Sequence, residues 1–91
     1  MEQLKTIKEL INQGDVAEAI RQLDEYLITD STDRDEAFYL LGNAYRKQGN
    51  WQLALNNYQY AIDLNPDSPA REAHQMVMDI LNFFNKDMYN Q

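Results

Sequence analysis

The sequence predicts an all-α protein of about five helices folded as antiparallel hairpins. Three observations carry this reading. Apolar residues recur at three- and four-residue spacing almost throughout the chain. No stretch alternates with period two for long enough to make a strand. Glycine, proline and capping residues divide the helical pattern into segments of similar length.

The first helix is expected over 2–13, where Leu4, Ile7, Leu10 and Ile11 line one face. Gly14 stands where a helix C-terminus takes a left-handed residue. Asp15 follows as a cap, with Glu18 completing a capping box. Val16, Ala19, Ile20, Leu23 and Leu27 then set a second helix over 16–29. Asp33 with Glu36 gives the same start signal for a third, over 34–48, carried by Phe38, Leu41 and Tyr45. Gly49 and Asn50 repeat the stop and start, and Leu55, Tyr58 and Ile62 mark a fourth helix over 51–64. Pro66 blocks its continuation, and Ser68-Pro69 reads as a cap plus first helical position. Ala73, Met76, Val77, Ile80 and Phe84 place the fifth helix over 69–84. Loops of two or three residues force paired helices to run antiparallel.

Composition narrows the function. At 91 residues the chain is one domain with one modest core, burying roughly 60–65% of its unfolded surface. A hydrophobic content of 44% with 11% aromatics argues against disorder. Fifteen acidic against eight basic side chains leave a net charge of −7, which is wrong for a phosphate backbone, so no nucleic-acid partner is expected. Without cysteine there is no disulfide framework, thiolate metal site or thiol nucleophile. Lys5, Lys8 and Glu9 sit where a secretory leader would be apolar. No run approaches the roughly 20 apolar residues of a membrane span. The expected address is the cytoplasm, with no membrane partner.

The chain repeats itself. Gln13-Gly14-Asp15 and Gln48-Gly49-Asn50 lie 35 residues apart. At that shift Leu10 matches Tyr45, Val16 matches Trp51, Ala19 matches Ala54, Leu23 matches Tyr58 and Leu27 matches Ile62. Phe38, Leu41-Gly42, Tyr45, Ala54, Tyr58, Ala61 and Pro66 together resemble a tetratricopeptide repeat, every slot of which is filled at the right spacing. The first copy departs from the pattern: Ile7 stands at a glycine slot, Tyr26 at a small-residue slot, and Thr29–Asp33 replaces the closing proline. The organisation implied is repeat one over about 1–33, repeat two over 34–68, a capping helix over 69–84 and a tail over 85–91. The resemblance implies a right-handed α-solenoid, with Gly42 admitting a close helix crossing near Ala54 and Ala61.

The resemblance also implies a surface. Such arrays bind a protein or peptide on the concave side formed by the first helix of each hairpin, and the fold itself performs no chemistry. Carried at the 35-residue shift, the groove positions are Leu4, Lys8, Ile11 and Asn12, then Tyr39, Asn43, Arg46 and Lys47, then His74, Met78, Leu81 and Asn82. Apolar anchors, amides and cations suit a peptide or helix of some acidic character. Arg46 and Lys47 have a second reading, as cations at a helix C-terminus. A carboxylate clamp of Lys and Asn one turn apart fits poorly: Lys8 and Asn12 have the spacing but sit one turn too far along, and Tyr39 stands where the Lys before Asn43 would be.

The fifth helix and tail place Met76, Val77, Met78, Ile80, Leu81, Phe83, Phe84, Met88 and Tyr89 on more than one face. Either the tail folds back over the groove or last hairpin, or Leu81, Phe83 and Phe84 support self-association; a homo-oligomeric structural subunit, associating through this helix or by end-to-end repeat stacking, is the alternative function. Chemistry is not expected. His74 is a lone histidine with no triad or second ligand, and the acidic run Asp24, Glu25, Asp30, Asp33, Asp35, Glu36 lacks the glycine-centred loop of a Ca²⁺ site. Ser31 and Ser68 read as turn residues, and Trp51 and the tyrosines as packing. No enzyme activity, cofactor or metal is expected.

Overall fold

The computed structural model describes residues 2–30 and 32–84. It contains α1 (Glu2–Gln13), α2 (Val16–Thr29), α3 (Arg34–Lys47), α4 (Trp51–Leu64) and α5 (Ala70–Phe84), with no strand among the described residues. The tail over 85–91, with Met88 and Tyr89, and the side chains of Ser31 and Phe84 lie outside the described residues.

The two hairpin turns are built alike. Gly14 and Gly49 take φ of 95° and 79°, the left-handed region that a Cβ disfavours. In the first turn Asp15 N–H donates to Leu10 O at 2.9 Å and Gly14 N–H to Ile11 O at 3.1 Å. In the second, Asn50 N–H donates to Tyr45 O at 2.9 Å and Gly49 N–H to Arg46 O at 2.9 Å. Each pair satisfies two terminal carbonyls, the Schellman arrangement. The following caps differ. Asn50 accepts from Leu53 N–H at 3.3 Å, but neither Asp15 nor Asp33 caps through its side chain. The expected capping box at Asp15 does not form because Glu18 is engaged elsewhere. It accepts from Arg21 at 2.6 and 3.0 Å and from Gln22 at 2.7 Å, and those bonds lower its pKa to about 2. Asp33 instead takes a left-handed φ of 50° in the linker.

That linker is pinned by residues outside the family pattern. Tyr26 is buried, and its hydroxyl donates to Thr32 O at 2.9 Å. Arg34 donates to Leu27 O at 2.8 Å, and Asp30 accepts from Thr32 N–H at 2.8 Å. The second linker closes on Asn65, which donates to Asp35 at 3.0 Å, and on buried Ser68, which accepts from Ala70 N–H at 3.0 Å.

The core has two parts joined by α3. Leu4, Ile7, Ile11, Ala19, Leu23, Tyr26, Ala37, Leu40, Leu41 and Ala44 form one, between α1, α2 and α3. Ala54, Tyr58, Ala61, Ala70, Ala73 and Val77 form the other, between α4 and α5. Phe38, Tyr39 and Tyr45 pack against both. The close crossing of α3 and α4 is where the glycine was expected to act, and the atoms nearest its missing Cβ belong to the Tyr58 ring. A Cβ at Gly42 would overlap Cδ1 and Cε1 of the Tyr58 ring, which is fully buried and has nowhere to retreat.

Gly42→Ala therefore lowers stability despite its better helix propensity. Overpacking costs about 1–3 kcal/mol, and the propensity gain returns up to ~1 kcal/mol. A net loss of about 2 kcal/mol is expected, read as a lower urea midpoint at unchanged slope. An unchanged or raised midpoint would mean the ring yields freely.

Candidate partner-binding groove

Tyr39, Asn43 and Arg46 fall at i, i+4 and i+7 on α3 and share one face. On that face two hollows lie end to end. One, of about 390 Å³, is lined by Lys8 of α1, Asp35, Glu36, Tyr39 and Leu40 of α3, and Asn65, Ser68 and Pro69. The other, of about 300 Å³, is lined by Tyr39, Asn43 and Arg46 together with Pro69, Glu72, Ala73 and Met76. Tyr39 and Pro69 belong to both, so the hollows form a continuous trough along α3 with α1 and α5 as its banks.

The floor of the trough is held from below by α4. The Tyr58 hydroxyl reaches through the core and donates to Asn43 Oδ1 at 2.5 Å. This fixes the amide with its oxygen occupied and leaves its N–H groups to donate elsewhere. The Tyr58 ring also lies 6.1 Å from that of Tyr39, tilted by 39°. Burial pushes the Tyr58 pKa up to about 12, with the Arg46 charge opposing and Tyr39 adding to the rise. Arg46 is half-buried and points one N–H across the trough to Met76 Sδ at 4.0 Å. Among the described residues neither Arg46 nor Lys8 forms an ion pair; the two ion pairs both belong to exposed Arg21.

The structure sorts the expected groove residues. Lys8, Tyr39, Asn43 and Arg46 line the trough. Asn12 and Lys47 are exposed one turn beyond Lys8 and Asn43 and line neither hollow. Leu4 and Ile11 are not available to a partner, because both are core residues between α1 and α3. His74 lies outside the trough, in a neighbouring cleft of about 540 Å³ with Ile62, Pro66, Asp67, Arg71 and Gln75, which shares Ser68 and Glu72 with the trough. Met78 shares the helix face of His74 at i+4. Leu81 packs against the second core cluster, while Phe83 is 75% exposed.

The cause is a rotation of α5. The 35-residue shift places Met76 at a packing slot. The helix instead buries Ala70, Ala73 and Val77 and turns Pro69, Glu72 and Met76 to the trough. Small residues let α5 seat close to Tyr58 and Ala61, and the Ala70–Ala73–Val77 spacing was the signal that could have found this. Phe83, seven residues after Met76, falls on the same groove-side face. Among the described residues no group of three His, Cys, Asp or Glu could hold a metal, and no helix is long and apolar enough to cross a membrane.

Comparison with known proteins gives a consistent picture. The tetratricopeptide repeat family matches residues 35–68. The photosystem I assembly protein Ycf3 of Synechococcus sp. (strain CC9902) is 41% identical over 61 residues, covering 65% of this chain and 35% of that protein. Ycf3 of Prochlorococcus marinus (strain MIT 9303) is 36% identical over a segment of the same length. The chain thus spans about a third of the length of these relatives. The solution NMR structure of Bacteroides fragilis protein BF1650 is 70% identical, covers 100% of this chain and 92% of its own, and superposes with a TM-score of 0.90.

Tyr58 provides a pH test of the groove floor. Its folded pKa of about 12 exceeds the ordinary value of 10. Its contribution to stability is therefore complete below pH 10 and declines as pH rises toward 12. Urea unfolding across this range should show the decline, and Tyr58→Phe should reduce it, leaving the smaller part due to Tyr45, whose pKa is also raised by burial. At neutral pH the same variant should lose about 1 kcal/mol for the missing hydrogen bond.

Proposed function

Because the chain belongs to the tetratricopeptide repeat family, we propose that it is a non-catalytic interaction module that holds a peptide segment of another protein in the trough along α3. One observation carries this reading: Tyr39, Asn43 and Arg46 line a continuous concavity in which a half-buried guanidinium has no carboxylate partner among the described residues. A buried or half-buried charge gains most from a partner that supplies the missing counter-charge. The Asn43 amide offers N–H donors to a main-chain or side-chain carbonyl. Tyr39 and Met76 offer apolar contact. The occupant is thus a segment with an acidic side chain set against Arg46 and an apolar residue beside Tyr39.

The Ycf3 relatives are photosystem I assembly proteins by name. Only the class of role carries over, that of holding a segment of a protein during assembly of a complex. Carboxylates at Asp35, Glu36 and Glu72 line the trough and oppose a uniformly acidic ligand. They favour one acidic residue at the Arg46 end and a neutral or basic residue near Glu36.

Selection from a peptide display library tests this. Enriched sequences should carry one Asp or Glu next to an apolar residue. Arg46→Glu should weaken binding of a selected peptide at least tenfold, as should Tyr39→Ala, while the exposed α4 change Gln59→Ala should leave it unchanged. Peptides that bind Arg46→Glu and wild type alike would place the site elsewhere.

A further inference from the structure

Met76 combines three features that the other described methionine, Met78, lacks. It lines the trough, it is 44% exposed, and its Sδ lies 4.0 Å from an N–H of the half-buried Arg46 guanidinium. Met78 is partly buried on the face of His74 and lines neither hollow. A thioether reacts with hydroperoxides where solvent reaches it. Buried Ala73 and Val77 fix this turn of α5, so the sulfur is held at the bank.

Oxidation would change what Arg46 meets. A thioether sulfur is a weak acceptor, whereas a sulfoxide carries a strongly dipolar oxygen. That oxygen stands one covalent bond length out from the sulfur. Turned toward Arg46, it converts the 4.0 Å N···S contact into an N–H···O bond within the usual range of about 2.7–3.2 Å, with no movement of α5. The donor is charged, which makes such a bond roughly twice as strong as one between neutral groups. Arg46 forms no ion pair among the described residues, so no protein carboxylate competes for it there.

We propose that Met76 is a redox modification site that switches the trough: a hydroperoxide converts it to the sulfoxide, whose oxygen occupies Arg46 and weakens capture of an acidic segment. The consequence for binding rests on the peptide-binding reading; the Met76–Arg46 chemistry does not. The sulfur lone pair attacks one peroxide oxygen, and the S–O bond forms as the O–O bond breaks. With hydrogen peroxide the departing oxygen takes up the second proton and leaves as water. The thioether is oxidised by two electrons and the peroxide reduced by two. Affinity then falls for two reasons. The guanidinium must exchange the sulfoxide for the ligand carboxylate, and the apolar bank opposite Tyr39 becomes polar.

Peroxide treatment of the full chain, followed by peptide mass mapping, tests the site. Met76 should gain oxygen before Met78. In the free protein, oxidation should shift the Arg46 side-chain N–H resonance, and Met76→Leu should abolish that shift. A methionine-free peptide from the display selection should bind oxidised wild type about tenfold more weakly, the scale of one net hydrogen bond. Methionine sulfoxide reductase with dithiothreitol should restore the affinity. Met76→Leu should bind alike before and after peroxide, although Met1, Met78 and Met88 remain. Met76→Gln, which offers an amide oxygen to Arg46, should bind weakly without treatment. An unmoved Arg46 resonance at full Met76 oxidation would overturn the proposal. So would equal peroxide sensitivity of wild type and Met76→Leu, or unchanged affinity of oxidised wild type where Arg46→Glu weakens binding. If Arg46→Glu itself leaves affinity unchanged, the trough reading fails and the Arg46 resonance alone decides the switch.

Discussion

The missing side chain at Gly42 is the constraint on which the rest of the molecule depends. It lets the Tyr58 ring lie flat against the backbone of α3. With the ring there, α4 sits close enough for the hydroxyl to reach Asn43, the next residue of α3. One void in one helix thus sets the distance between the paired helices, places a fully buried tyrosine in the second core cluster and orients an amide on the trough floor. Ala54 and Ala61, both fully buried on α4, serve the same approach by keeping that helix thin on either side of the ring. A pair of α-helices normally packs 8–10 Å apart. The smaller the residues at the crossing, the more of that distance a single aromatic ring can fill.

The frame was legible in the sequence because it is written in volume and spacing. Gly42, Tyr45, Ala54, Tyr58 and Ala61 alternate small and large at fixed intervals, and such a pattern survives translation into packing. The glycine stops at Gly14 and Gly49 were equally legible, since a left-handed residue has few substitutes. Cap side chains were less so. Asp15 and Asp33 have the right chemistry at the right place, yet Glu18 finds a stronger partner in Arg21, and Asp33 serves the linker by its backbone. Competition between local partners is invisible to a pattern that scores each residue alone. The trough was half legible. Lys8, Tyr39, Asn43 and Arg46 follow from the repeat register, whereas Glu72 and Met76 depend on the rotation of α5, which a fixed 35-residue shift cannot supply. Ile11 and Leu4 failed for a related reason: α1 turns its apolar stripe into the core cluster that it shares with α2 and α3.

The electrostatics of the trough run against the chain as a whole. The excess of acid lies mainly on α2, the first linker and the start of α3, where carboxylates meet water, Arg21 or helix N-termini. Lys8 shares its hollow with Asp35 and Glu36 at the start of α3, and Arg46 shares the other with Glu72, without forming an ion pair among the described residues. A cation at the C-terminal turn of α3 is favoured by the helix dipole. That explains why Arg46 is tolerated there without a carboxylate. It does not explain why the side chain crosses the trough toward Met76 rather than extending into water. The crossing holds a charge over a concave, partly desolvated surface, where a counter-charge on a ligand is worth more than it would be on an open face.

The same helix pair therefore serves two opposite surfaces with different chemistry. α3 turns amide and cation to the concave side, and α4 turns a nearly uncharged stripe to the convex side. The two are joined through Tyr58, whose ring is fully buried and whose hydroxyl ends on the trough floor. α4 holds Asn43 in place through that hydroxyl, and the Phe38–Tyr60 and Tyr39–Tyr58 ring contacts join the same two helices, so the packing that orders α4 also sets the trough floor.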